Sequence, residues 1–187
     1  MFGDRSDAGA IELARAADIA TWSASPAGFA SREAFDARLM DAVLASAPDL
    51  VVCAGYMRVL CADAVARAQG RMINIHPSLL PKYPGLRTHA RALAAGDAEH
   101  GCSVHQVTAT VDGGPVIAQA RISVQAGDGV DSLAARVLAR EHALLVAVVC
   151  EIAEGQLTLG PLGVAHRGNP LHAPLSLTQD DLFEGSP

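Results

Sequence analysis

Aromatic residues are scarce in this chain of 187: one Trp, two Tyr and four Phe. A core without many large rings is filled by Ala, Val, Leu and Ile, which favours helices packed closely on a sheet. Long apolar runs are missing as well. Half of the chain is hydrophobic (50%) and mean hydropathy is +0.25. Even so, no uninterrupted run approaches the roughly 18 apolar residues that mark a membrane span. The opening Met1-Phe2-Gly3-Asp4-Arg5 lacks the charged-then-apolar pattern of a secretory signal, so a cytoplasmic location is expected. Basic charge is in deficit, with 14 Lys and Arg against 20 Asp and Glu and a net charge of −6. That balance argues against a nucleic-acid partner while leaving room for a local basic pocket. Cysteine is sparse: Cys53, Cys61, Cys102 and Cys150, with no C-x-x-C pair. Reduced, buried thiols are expected rather than a disulfide or zinc framework. The length fits a single domain over 1–187 with a core of its own.

The pattern along the chain alternates helix and strand. Residues 8–17 read as a helix leading into a strand from Ile19 to Trp22. Ser31 is placed to cap a helix that runs to about Ala45, and Pro48-Asp49 ends it. Leu50 to Ala54 is continuously apolar, as expected of a parallel strand covered on both faces. A helix over Ala62–Ala68 and a strand over Arg71–His76 follow. This alternation predicts an open, mostly parallel α/β sheet. After a Pro-rich loop comes a helix over His89–Ala95. Strands over Ser103–Val111 and Val116–Val124 then read as a hairpin joined at Asp112-Gly113-Gly114-Pro115. A long helix spans Val130–Ala153, with Leu133, Val137, Leu144 and Val148 on one face. Gln156–Leu159 and Val164–His166 form a terminal hairpin, and from Pro170 (about 170–187) a loosely ordered tail is expected.

In open α/β sheets ligands sit beyond the carboxyl ends of the strands. Two strand ends are therefore of interest, Gly55-Tyr56-Met57-Arg58 and Asn74-Ile75-His76. Residues two apart on a strand share a face, so Asn74 and His76 project together, and Pro77 keeps His76 extended. His76 is the natural acid/base group. A carboxylate at Asp112 favours its protonated form and can orient a water, and the Asn74 amide can donate to a developing oxyanion. Read singly, an Asp before Gly-Gly is also ordinary turn chemistry, and a lone His at a strand end can be structural. His142, His166 and His172 have no metal-ligand spacing with carboxylate or Cys neighbours, so no metal is expected.

The run Asn74-Ile75-His76-Pro77-Ser78-Leu79-Leu80-Pro81-Lys82-Tyr83-Pro84-Gly85 resembles the signature of the formyltransferases that use 10-formyltetrahydrofolate. His100-Gly101-Cys102-Ser103-Val104-His105 and Val111-Asp112-Gly113-Gly114-Pro115-Val116-Ile117 match in the same order, and the likeness extends from about Met1 to Leu159. The loop through Leu86-Arg87-Thr88-His89 is of the purine-pathway type, unlike that of the tRNA-formylating and formylfolate-hydrolysing branches. The resemblance implies a Rossmann-like sheet with an antiparallel hairpin in its later half. It also implies formyl transfer from 10-formyltetrahydrofolate to the amine of 5-phosphoribosylglycinamide in purine biosynthesis. Asn74, His76 and Asp112 would then be catalytic. Arg32, Met57, Arg58, Val59, Leu60 and Asn74 would contact the folate, with the backbone from Thr108 to Asp112 beside its pteridine. Gly55, Pro77 and Glu141 would lie by the glycinamide arm, where Glu141 attracts the amine. Bland readings stand beside these: Met57 and Leu60 as core, Arg32 and Arg58 as solvated surface, Glu141 as an outer-face charge. Ser103 and His105 are expected to support the site without being catalytic.

The family's opening apolar strand and G-x-G-S-N turn, whose helix holds a substrate phosphate, have no counterpart in these 187 residues. Phe2 to Ala8 aligns instead with the stretch before the next helix. The absence is expected to leave strand edges and helix faces uncovered and to remove the phosphate cradle. A late-assigned start, a shortened chain and a diverged relative all fit that pattern. A formyltetrahydrofolate hydrolase, another folate-dependent formyltransferase and a non-catalytic folate-binding relative stay open as alternatives.

Overall fold

In the computed structural model, which describes residues 1–160 and 163–183, the apolar stretches pair into three sheets. At the start, β1 (Phe2–Gly3) lies parallel to β2 (Trp22–Ser23), joined through helix α1 (Gly9–Ala16). A 3₁₀ turn at Pro26–Gly28 precedes α2 (Arg32–Ala45), whose N-cap Ser31 accepts from the Ala34 N–H at 3.1 Å. That bond satisfies one of the free N–H groups at the helix start, as the sequence predicts.

The main sheet begins with β3 (Val51–Cys53), which crosses over through α3 (Ala62–Arg67) to the parallel β4 (Met72–His76). After α4 (Thr88–Ala95), β5 (Glu99–Gln106) runs antiparallel to β4, and β6 (Val116–Ser123) antiparallel to β5. Helix α5 (Val130–Ala153) then crosses the sheet. A small antiparallel sheet follows, made of β7 (Leu157–Gly160), β8 (Gly163–His166) and β9 (Asn169–Pro170). Last, β10 (Leu175–Ser176) pairs parallel with β6, so the main sheet reads β10-β6-β5-β4-β3.

The predicted stripe on α5 is the centre of the core. Leu133, Val137, Leu144 and Val148 are all fully buried and share a cluster with Ile73, Val104, Ile117 and Ala118 of the sheet. On the other side α2 buries Phe35, Leu39 and Met40. Phe35 meets Phe29 edge-on with ring centroids 5.3 Å apart, so one of the few aromatic pairs fills the space over β3.

Several expectations are corrected. The early strand is Trp22–Ser23 rather than Ile19–Trp22. The strand spans Val51–Cys53 and, among the described residues, lies at the sheet edge beside β4; Val52 is 40% exposed, so one of its faces is not covered. The strand assigned to Ser103–Val111 instead spans Glu99–Gln106. Its ladder stops because the Gln106 N–H bonds the Pro115 carbonyl and the Val107 N–H turns to Met72, which frees residues 107–115 as a loop. The four cysteines are free, but only Cys102 is buried: Cys53 and Cys61 are partly exposed, and Cys150 is exposed on α5. From Pro170 to Phe183 the chain is not loose. Leu175–Ser176 joins the sheet, Leu177 and Phe183 are buried, and the Arg140 guanidinium donates to the Asp181 carboxylate at 2.6 Å. Residues 184–187 lie outside the described residues.

The loop after β5 closes against backbone so tightly that no side chain fits at Gly114, where a Cβ would stand 1.8 Å from the Gln106 carbonyl oxygen. Gly114→Ala is therefore expected to lower the unfolding free energy by about 1–3 kcal/mol in chemical denaturation. Gly9→Ala, whose new methyl would meet nothing within 4 Å, should not lower it.

Candidate active site

The strand ends of β4 and β5 set the positions of the polar groups. Asn74 stands opposite His105, and His76 opposite Ser103. The period of two along β4 puts Asn74 and His76 on one side, as predicted. His76 is 6% exposed, and its Nε2 lies 2.9 Å from the Tyr83 carbonyl. A carbonyl only accepts, so Nε2 carries the hydrogen. Nδ1 then faces the Asp112 carboxylate at 3.4 Å, the position where a proton can be taken up beside a negative charge. Asp112 has a left-handed backbone (φ 50) and accepts from the Gly85 N–H at 2.7 Å.

His105 is polarised in the opposite sense. Its Nδ1 donates to the Gln106 carbonyl at 3.0 Å, which leaves Nε2 to accept from the Asn74 amide at 3.1 Å. Burial pushes the His105 imidazole below its ordinary value, outweighing the Gln106 carbonyl contact and the charge of Asp112. A neutral ring with its lone pair toward Asn74 makes no ion pair with Asp112, although their atoms approach to 3.5 Å. Its effect is to fix the Asn74 amide, which keeps a second N–H for another acceptor.

A cleft of about 760 Å³ opens over these groups. Gly55, Met57, Arg58, Val59 and Leu60 form one wall; Asn74, His76 and Pro77 the floor; Thr108 to Asp112 a second wall; and Leu138, Glu141, His142 and Leu145 of α5 a third. Met57 is 74% exposed, an apolar side chain offered to the cleft rather than to the core. The Arg58 guanidinium lies 5.5 Å from the Phe35 ring, and its buried Nε has no partner. Glu141 lines the cleft rather than an open helix face, and burial there raises its carboxyl from its ordinary value.

All but one of the residues singled out from the sequence are thus brought together. Arg32 is the exception: it occupies the first turn of α2, pairs with Glu33 at 3.5 Å and does not line the cleft. Sequence reasoning assigned His105 only a supporting part and overlooked Leu138, His142 and Leu145. Their spacing from Glu141 is the signal that could have found them, because residues three and four apart share a helix face.

An open α/β sheet with an amide, an imidazole and a carboxylate gathered at its strand ends is the arrangement of a group-transfer enzyme acting at a carbonyl. Residues 1–149 match the family model described as "Formyl transferase", and the chain belongs to that family. It is 50% identical over 159 residues to the phosphoribosylglycinamide formyltransferase of Escherichia coli K12, covering 85% of this chain and 75% of that one. The trifunctional purine biosynthetic protein adenosine-3 of Drosophila melanogaster is 43% identical over 151 residues, which span 81% of this chain and 11% of that much longer protein. The structure of phosphoribosylglycinamide formyltransferase from Coxiella burnetii in complex with CHES superposes with a TM-score of 0.85 at 46% identity, covering 91% of this chain and 80% of that one.

Behind the loop that carries Gly85, His89 Nδ1 lies 3.1 Å from His100 Nε2. Burial, reinforced by His89, pushes the His100 imidazole down from 6.5 to about 4. The unfolded chain takes up this proton first as pH falls, so stability is present above 6.5 and is lost between 6.5 and about 4. His89 and His105, both lowered mainly by burial, act in the same direction. Urea denaturation should give an unfolding free energy about 2 kcal/mol smaller at pH 5 than at pH 7 from His100 alone. His100→Gln should remove that share of the pH dependence.

Proposed function

We propose that this chain transfers the formyl group of 10-formyltetrahydrofolate to the amine of 5-phosphoribosylglycinamide. The observation that carries the reading is the Asn74, His76 and Asp112 cluster in a cleft that Glu141 also lines. Similarity to proteins named for this reaction supports the choice of substrates. The exposed apolar side chains Met57 and Val59, facing the backbone of Thr108 to Asp112, suit a flat heteroaromatic ring with polar edges. Arg58, which lines the same wall, brings a positive charge to that ligand. Arg32, outside the cleft, is suited only to a ligand part that extends beyond it.

The folate supplies an activated formyl carbon, and the chain's own groups do the rest. The free Asn74 N–H donates to the formyl oxygen as the incoming amine adds and negative charge builds there. His76, protonated at Nδ1, stabilises the same charge, and Asp112 stabilises the imidazolium. The separation of 3.4 Å between Nδ1 and the carboxylate is longer than a direct charge-assisted bond but leaves no room for a water between them, so a water that relays the proton would be held by Asp112 beside the pair. The amine loses a proton and the departing folate nitrogen gains one, so acid and base roles alternate without a covalent enzyme intermediate. Glu141 attracts the amine into the cleft.

Four substitutions test the assignment in an assay of tetrahydrofolate release with glycinamide ribonucleotide as acceptor. His76→Ala and Asp112→Asn should each lower kcat by roughly 10²- to 10⁴-fold. Asn74→Ala should lower it by about 10²-fold, the cost of one oxyanion donor. Glu141→Gln should chiefly raise the KM of the amine substrate. Full activity in either the His76 or the Asp112 variant would overturn their roles. Release of tetrahydrofolate at equal rate without the amine would replace this reading with a hydrolase.

A further inference from the structure

The His76 ring is oriented from behind by side chains that do not line the cleft. Gln119, on β6, is 5% exposed and donates from Nε2 to the Leu80 carbonyl at 2.8 Å and to Ser103 Oγ at 3.0 Å. Its Oε1 accepts from Arg121 at 3.1 Å, so the amide has one orientation that satisfies every partner. Ser103 Oγ is saturated in the same way. It accepts from Gln119 and from the Leu80 N–H at 3.0 Å, and it donates to the Ser78 carbonyl at 2.7 Å. Ser78 Oγ in turn donates to the Lys82 carbonyl at 2.6 Å. The next carbonyl is that of Tyr83, the acceptor of His76 Nε2–H.

Tyr83 itself has a left-handed backbone (φ 56), a conformation that a non-glycine residue adopts at a cost and keeps only when its surroundings hold it. On the outer side its hydroxyl donates to Asp97 at 2.7 Å, and the Arg91 guanidinium lies 5.1 Å over its ring. On the inner side the hold is the chain of bonds that ends at Gln119.

We propose that Gln119 is a positioning residue for the reaction assigned above. Through Ser103 and the 78–80 backbone it keeps the Tyr83 carbonyl where it fixes His76 in the Nε2–H tautomer. The alternative tautomer would set a ring lone pair against a carbonyl oxygen, and both are acceptors. It would also leave a permanent hydrogen between Nδ1 and Asp112, with the free lone pair turned toward the buried loop and away from the cleft. Proton exchange at Nδ1 then stops, while the cleft walls are unchanged.

The inference rests on the catalytic reading of His76, but its primary measurement does not need turnover. In ¹⁵N-labelled protein at pH 8, the His76 ring should show a protonated-type Nε2 and an unprotonated-type Nδ1. Gln119→Leu should mix or reverse these signals, and should lower kcat by roughly tenfold to a hundredfold with the folate KM unchanged. Ser103→Ala should move the signals the same way, and Ser103→Thr, which keeps the oxygen, should restore them. Should Gln119→Leu fail to fold, Ser103→Ala, which removes a single oxygen, decides the matter. An unshifted Nε2–H tautomer in a folded variant overturns the proposal. A shifted tautomer in a chain that transfers no formyl group counts against the reaction and leaves the positioning role standing.

Discussion

Asp112 is held from two directions at once, and the cleft depends on it. Its carboxylate takes the Gly85 N–H of the loop after β4 and faces the His76 imidazole at the end of β4, while its own backbone, in the loop after β5, sits in the left-handed region. The two loops that bound the floor are thereby tied to each other through a charged group with little exposure to water. A neutral amide of the same shape could keep the Gly85 bond but could not stabilise an imidazolium. The geometry and the charge are therefore separable properties of one side chain.

The same economy governs the two histidines beside it. His76 gives its Nε2 hydrogen to a carbonyl and keeps Nδ1 for chemistry, whereas His105 gives its Nδ1 hydrogen to a carbonyl and keeps Nε2 for Asn74. Identical rings acquire different tasks because the backbone presents an acceptor to a different nitrogen in each case. Burial disfavours a positive charge on His105, which leaves its ring to hold the Asn74 amide.

Much of this was legible in the residues. The α5 stripe, the Ser31 cap and the shared face of Asn74 and His76 follow from periodicity and capping, which are local properties. The departures are non-local. Val52 is exposed because cover for β3 depends on which strands lie beside it, and three apolar residues in a row do not specify that. The end of β5 is set by the Gln106–Pro115 bond across the loop, invisible to a window that reads Ser103–Val111 as continuously strand-forming. Arg32 matched a family position, yet its cap places it outward. Gln119 carried no signal at all, since an isolated Gln in an apolar strand reveals nothing about the serine and carbonyl it will meet.

The pairing of Leu175–Ser176 with β6 has a consequence for biosynthesis. Chain order places this strand some fifty residues after the edge it covers, and α5 and the small sheet are made in between. While the ribosome is still adding those segments, β6 presents the unpaired N–H and C=O groups of Ala118 and Gln119 that β10 will later meet. The nascent sheet therefore stays open to adhesive contact on that side until residues 175–176 have cleared the exit tunnel.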